Sequence, residues 1–207
     1  MSKSKRLLSL VLALIMVFAL FAGAASADNG DNGAETTSAI TDNSPIGDFT
    51  DVTWANPYAE AIAVIEAAEI TQGDGDRNTY NPAGTVTRAT VAAFIARTGI
   101  TAARANLLLP GETGFPDVGR DHWANRYIAW AVSQNVISGH VDRDGNRYYA
   151  PDDMLTGVQI LKMLCGVLNV DKVAELEGDL WQTNTMHYAA QLGLLEGMAG
   201  IDLSEVI

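Results

Sequence analysis

The stretch FTDVTWANPYAEAIAVIEAAEITQG, residues 49–73, returns in altered form as FPDVGRDHWANRYIAWAVSQNVISG at 115–139. A shift of 66 carries Phe49, Asp51 and Val52 onto Phe115, Asp117 and Val118, Ile62 onto Ile128, Ile65 onto Ala131, Ile70 onto Val136 and Gly73 onto Gly139. The next loop is three residues longer in the second copy. Beyond it a shift of 69 carries Pro82 onto Pro151, Val86 and Thr87 onto Leu155 and Thr156, Val91 onto Ile160 and Phe94 onto Met163. A third copy begins 58 residues after the second: Phe115, Asp117 and Val118 become Val173, Glu175 and Leu176, Trp123 becomes Trp181, Ile128 becomes Met186 and Gly139 becomes Gly197. No counterpart of the loop, the proline or the second helix follows. Periods of this size mark a supersecondary unit that cannot bury its apolar face alone.

Each full unit reads helix–loop–helix. The first helix carries apolar residues at 62, 65 and 68, or at 128, 131 or 132, and 136, and the pattern predicts that it stops at Gly73 or Gly139. A Gly/Asp-rich loop follows, and a proline leads into a capped second helix. The fold expected is mainly α. In NPAGTVTRATVAAFIAR, residues 81–97, Thr87 is the natural N-cap, with Val91, Phe94 and Ile95 at helical spacing. Arg88 then falls in the first turn, where the backbone field is already positive, at a cost of a few tenths to about 1 kcal/mol.

Residues 1–27 join a basic start at Lys3, Lys5 and Arg6 to an apolar run and an Ala-Ser-Ala site, the pattern of a secretory signal peptide. The export this implies leaves no membrane insertion after cleavage. Residues 28–48 are polar and read as a flexible lead-in. All 25 acidic residues lie beyond residue 27, so the remainder carries a net charge of −15, against −12 for the whole chain. Such a balance argues against nucleic acid as a partner. An anionic ligand would need a few placed groups. The single cysteine, Cys165, sits in an apolar helix and reads as a small buried hydrophobe.

Together these motifs resemble the S-layer homology family, whose repeat runs Phe-x-Asp-Val, often Trp-Ala, a helix, an Asp/Gly-rich loop, an aromatic-x-Pro and a Thr-Arg-Ala-Glu segment. The resemblance covers 49–98 as repeat one, 115–170 as repeat two and 173–207 as a partial third. It implies a pseudo-threefold prism, here with the third repeat incomplete. It also implies clefts that hold secondary cell-wall polysaccharide, some of it pyruvylated, and a location in the cell wall or surface layer of a Gram-positive-type bacterium. Arg88 gains a purpose on this view. Its planar fork beside a helix N-terminus matches a carboxylate of an acidic sugar. The alternative is an arginine whose stem covers apolar surface while its head pairs with a nearby acid.

The sequence departs from the family at the same motif. Repeat one has TRAT, with Thr90 in place of the glutamate that closes a capping box; repeat two has TGVQ, with Gln159 able to close it and Gly157 in place of the arginine. Only one fully equipped cleft is expected. Around Arg88, the candidate glycan contacts are Thr87, Asp51, Asp117, Gly73, Gly139, Trp54 and Trp123. Asp51 and Asp117 either line a cleft or cap backbone. Trp54 and Trp123 either stack on a sugar or sit in the core. Gly73 and Gly139 end helices or admit a sugar to the backbone.

The loops place Asp74, Asp76 and Asn78, and Asp142, Asp144 and Asn146, at calcium-like spacing, but lack the glycine and the glutamate such a loop needs. No cofactor or metal is expected. His122, His140 and His187 form no catalytic constellation, so no enzyme is expected and each histidine reads as a surface or satisfied polar residue. Two rival readings are a surface-layer protein that binds mainly its own kind or other S-layer homology proteins, and a secreted hydrolase.

Overall fold

The computed structural model describes residues 43–74, 78–168, 178–195 and 202–204. The expected signal peptide, residues 28–42 of the expected lead-in, Asp76, the expected start of the third copy at Val173, Glu175 and Leu176, and Gly197 lie outside the described residues. Ten short elements are described, six of them helices. The architecture is mainly α.

Repeat one opens with an antiparallel pair, β1 (Pro45–Ile46) and β2 (Phe49–Thr53). Ile46, Phe49 and Val52 are buried, so the last residues of the segment whose polar composition suggested a flexible lead-in belong to the fold. The reason is one isoleucine, which composition averaged away. Gly47 turns the chain at φ +52°, and a Cβ there would run into the Glu66 carboxylate. That carboxylate instead accepts the Asp48 N–H at 2.8 Å.

The first helices are α1 (Ala59–Ala67) and, in repeat two, α4 (Asn125–Ser133); the third copy supplies α6 (Trp181–Gln191). Their ends correct the sequence expectation. Gly73 and Gly139 terminate neither α1 nor α4, which stop six residues earlier. The left-handed residue past the helix is Glu69 (φ 56°), Asn135 (φ 56°) and Gly193 (φ 72°) in the three copies, spaced by the same 66 and 58. In each, two backbone bonds close the turn. Glu69 N–H reaches Glu66 O (2.7 Å) and Ile70 N–H reaches Ile65 O (2.8 Å); Asn135 and Val136 reach Val132 and Ala131 (both 2.9 Å); Gly193 and Leu194 reach Ala190 (3.0 Å) and Ala189 (2.9 Å). This is the Schellman arrangement, and its usual apolar contact is present because Ile70, Val136 and Leu194 are all buried. Two of the copies manage it without glycine, so Gly73 and Gly139 do not mark the helix ends.

The second helices are α2 (Arg88–Ile100), followed by the single turn α3 (Ala102–Ala105), and α5 (Gly157–Leu168). Between α4 and α5 lies a hairpin, β3 (His140–Val141) and β4 (Arg147–Tyr148). Helix α2 is the centre of the domain, with ten of its 13 residues buried. Its alanines at 89, 92, 93 and 96 let α4 and α5 approach closely. Cys165 is fully buried, and burial pushes its thiol up to about 12. It is inert packing.

Successive repeats join through the starts of their second helices. Arg88 N–H donates to Asp153 O and Ala89 N–H to Pro151 O, both at 2.9 Å, while Leu155 N–H returns to Val86 O at 3.3 Å. One step on, Val158 N–H donates to Leu203 O at 2.9 Å. Leu203 thus does for α5 what Pro151 does for α2. The third copy therefore has a backbone counterpart of the pre-helix segment that no side-chain pattern revealed.

Candidate functional site

Two carboxylates shape the loops that wall the site. Asp51 accepts the N–H groups of Tyr80 (2.8 Å) and Asn81 (2.7 Å); Asp117 accepts those of Tyr149 (3.0 and 3.1 Å) and Ala150 (2.7 Å). The second residue of each pair, Asn81 or Ala150, has positive φ, a strained state for alanine that the aspartate holds in place. Both aspartates are bonded to backbone, and neither lines the grooves described next.

The first groove, of about 250 Å³, lies where repeat two meets the third copy. Its walls are the Val136–His140 segment, Gln159, Lys162 and Met163 of α5, Gly178, and Trp181 of α6. Arg88 reaches in from repeat one. It is 9% exposed. Its Nε donates to Tyr149 O at 2.7 Å and its guanidinium lies 4.6 Å from the centre of the Tyr149 ring. The Tyr149 hydroxyl, which burial keeps protonated, donates to Arg88 O at 3.0 Å. Burial lowers the arginine's pKa, partly offset by nearby Tyr149 and Asp153. No carboxylate forms an ion pair with it among the described residues. Its terminal nitrogens carry no hydrogen bond to the described residues, and the side chain lines the groove.

The helix N-terminus itself is another matter. Its first two N–H groups are taken by Asp153 and Pro151, and the third, on Thr90, by the Thr87 hydroxyl at 3.3 Å. The expectation of an open anion site on that backbone is corrected: the neighbouring repeat's carbonyls fill it. Thr87 is a cap and part of the joint with Met154, not a wall of either groove. In repeat two the capping box does close, with Thr156 N–H on Gln159 Oε1 at 2.8 Å.

The second groove, of about 780 Å³, is the repeat-equivalent space between repeats one and two. Gln72, Gly73 and Asp74 stand where Ser138, Gly139 and His140 stand in the first. Thr90, Ala93 and Phe94 replace Gln159, Lys162 and Met163, and Trp123 replaces Trp181. Arg97 here is 7% exposed and bound to its own protein, through Ile70 O (2.9 Å), Gln72 Oε1 (3.1 Å) and Tyr127 Oη (3.3 Å).

Of the residues picked from sequence, the structure brings Arg88 and Gly139 together in one groove, and Gly73 and Trp123 in the other. Trp54 parts company with Trp123: it packs against the core, whereas Trp123 is 54% exposed on a groove wall. Sequence reasoning missed Lys162, His140, Gln159 and Trp181. The register shifts already paired Trp181 with Trp123, and the same arithmetic carried to the loop would have found His140. Among the described residues no cluster of three acids, histidines or cysteines could hold a metal ion. The Asp142 carboxylate accepts the N–H groups of Asp144 and Asn146, both at 2.8 Å.

Residues 48–92 and 114–157 match the S-layer homology domain. A cell surface protein of Thermoanaerobacter kivui is 29% identical over 150 residues, which is 72% of this chain and 18% of that protein. The chain thus spans less than a fifth of the relative's length. No solved structure is a significant match. The two units are S-layer homology repeats, a class of domain that anchors to cell-wall polymers. Among the described residues no helix is long and apolar enough to cross a membrane.

Proposed function

We propose that these repeats attach the protein, after export and signal-peptide cleavage, to an acidic secondary cell-wall polysaccharide, and that the groove holding Arg88 is the main binding site. One observation carries this reading. A buried, charged guanidinium with no acid partner among the described residues lines an open groove that also holds Lys162 and an aromatic ring. A buried cation left unpaired is costly, and a ligand carboxylate, such as a pyruvate ketal, would offset that cost. Trp181, with the Lys162 ammonium 5.4 Å from its ring centre, offers a face for a sugar. The groove between repeats one and two is a secondary site. The joint repeated at Arg88–Asp153 and Val158–Leu203 supports a prism in which repeats succeed one another by the same rotation.

Sedimentation with purified wall sacculi tests the proposal. Arg88→Ala should lower the fraction bound at least several-fold, with Arg88→Lys intermediate because an ammonium lacks the fork. Unchanged binding by Arg88→Ala would remove the assigned role. Self-association of the wild type without sacculi would favour the rival reading, a protein that binds mainly other surface-layer subunits.

A further inference from the structure

The groove that holds Arg88 gathers three basic side chains, Arg88, His140 and Lys162, in a chain of net charge −12. At the equivalent places the other groove has Asp74 for His140 and Ala93 for Lys162. Position 140 therefore differs in the sign its side chain can carry. His140 is half-buried on β3, its ring 5.3 Å from that of Tyr148 on β4, its partner in the hairpin register. Among the described residues the charged groups facing it are Arg88 from α2, Lys162 from α5, Asp153 from the segment before α5 and Asp117 from the opening motif of repeat two.

We infer that His140 makes this groove's grip on an anionic ligand depend on pH, tighter in acid, a property that rests on the anchoring reading above. In the empty groove, burial and the Arg88 charge, with Lys162 adding, hold the imidazole below its ordinary 6.5; Asp153 and Asp117 oppose this. His140 is then neutral at neutral pH. A bound carboxylate cancels much of the repulsion from Arg88 and Lys162, so the imidazolium becomes easier to form and binding takes up a proton. By linkage, affinity rises as pH falls through the histidine's range. Ligand carboxylates stay ionised throughout, so the histidine and not the glycan sets the slope. Acidification outside the cell would tighten attachment.

The test measures binding of polysaccharide released from wall sacculi, native and with its carboxyls amidated, between about pH 5 and about pH 8. Wild type should bind the native polymer roughly 3–10-fold tighter at the acid end, since one unit of pKa displacement is tenfold in affinity. His140→Gln should flatten that slope, and His140→Asp should weaken binding most at neutral pH. His187→Gln, on the exposed face of α6, should keep the slope. Magnetic resonance titration of the His140 ring gives a second reading: polymer should raise its pKa. A slope unchanged in His140→Gln, or a pKa that the polymer leaves in place, overturns the inference while anchoring stands. No binding by wild type at any pH overturns both.

Discussion

The two grooves are the same construction made twice, and they hold their cations in opposite ways. Between repeats one and two, the Arg97 guanidinium is fastened by Ile70, Gln72 and Tyr127 and packs 5.2 Å from the Tyr127 ring centre. Between repeat two and the third copy, Arg88 is fastened, among the described residues, at Nε alone. The first arginine cements a wall; the second is anchored at its root and open at its tip. Which nitrogens the protein itself occupies decides whether a buried cation is structural or available to a ligand. The position of an arginine on a helix does not.

Six substitutions would break or sharpen this contrast, beginning with the largest effect. Asp117→Ala should destabilise the domain by about 2–3 kcal/mol, because it orphans the Tyr149 and Ala150 N–H groups that shape the wall beside Arg88. Asp51→Ala should do the same around Tyr80 and Asn81; thermal unfolding of both variants compares the walls directly. Arg88→Ala should lower polysaccharide affinity about tenfold, near 1.4 kcal/mol, whereas Trp123→Ala in the other groove should cost no more than about threefold. Equal losses would make the grooves equivalent. Gly139→Ala should cost at least about 1 kcal/mol, since its φ of +71° is unsuited to alanine and a Cβ would meet the Phe115 ring and the Tyr148 carbonyl. Glu69→Gly should stabilise by roughly 0.5–1 kcal/mol, supplying at α1 the glycine that α6 already has at Gly193.

Much of the fold was legible because burial repeats with the chain. Ile62 and Ile128 are both fully buried, as are Ile65 and Ala131, so the shift of 66 marked true equivalents. Helix ends were less legible, because Glu69 and Asn135 take a left-handed state that composition assigns to glycine. The site was half legible. Arg88 stood out as an electrostatic anomaly in its own helix. Its groove could not be seen, since the walls come from residues 136–181, and the carbonyls that fill its helix N-terminus belong to Pro151 and Asp153. Those are contacts between repeats, invisible to a reading that takes one repeat at a time.

Each groove carries one tryptophan, so a single experiment can ask which is used. The indole N–H resonances of Trp123 and Trp181, assigned by substitution, would be followed as purified acidic wall polysaccharide is added. The account predicts that Trp181 and the Arg88 Nε–H shift first, at polymer concentrations that leave Trp123 unmoved. A response at Trp123 with Trp181 and Arg88 unchanged would contradict it.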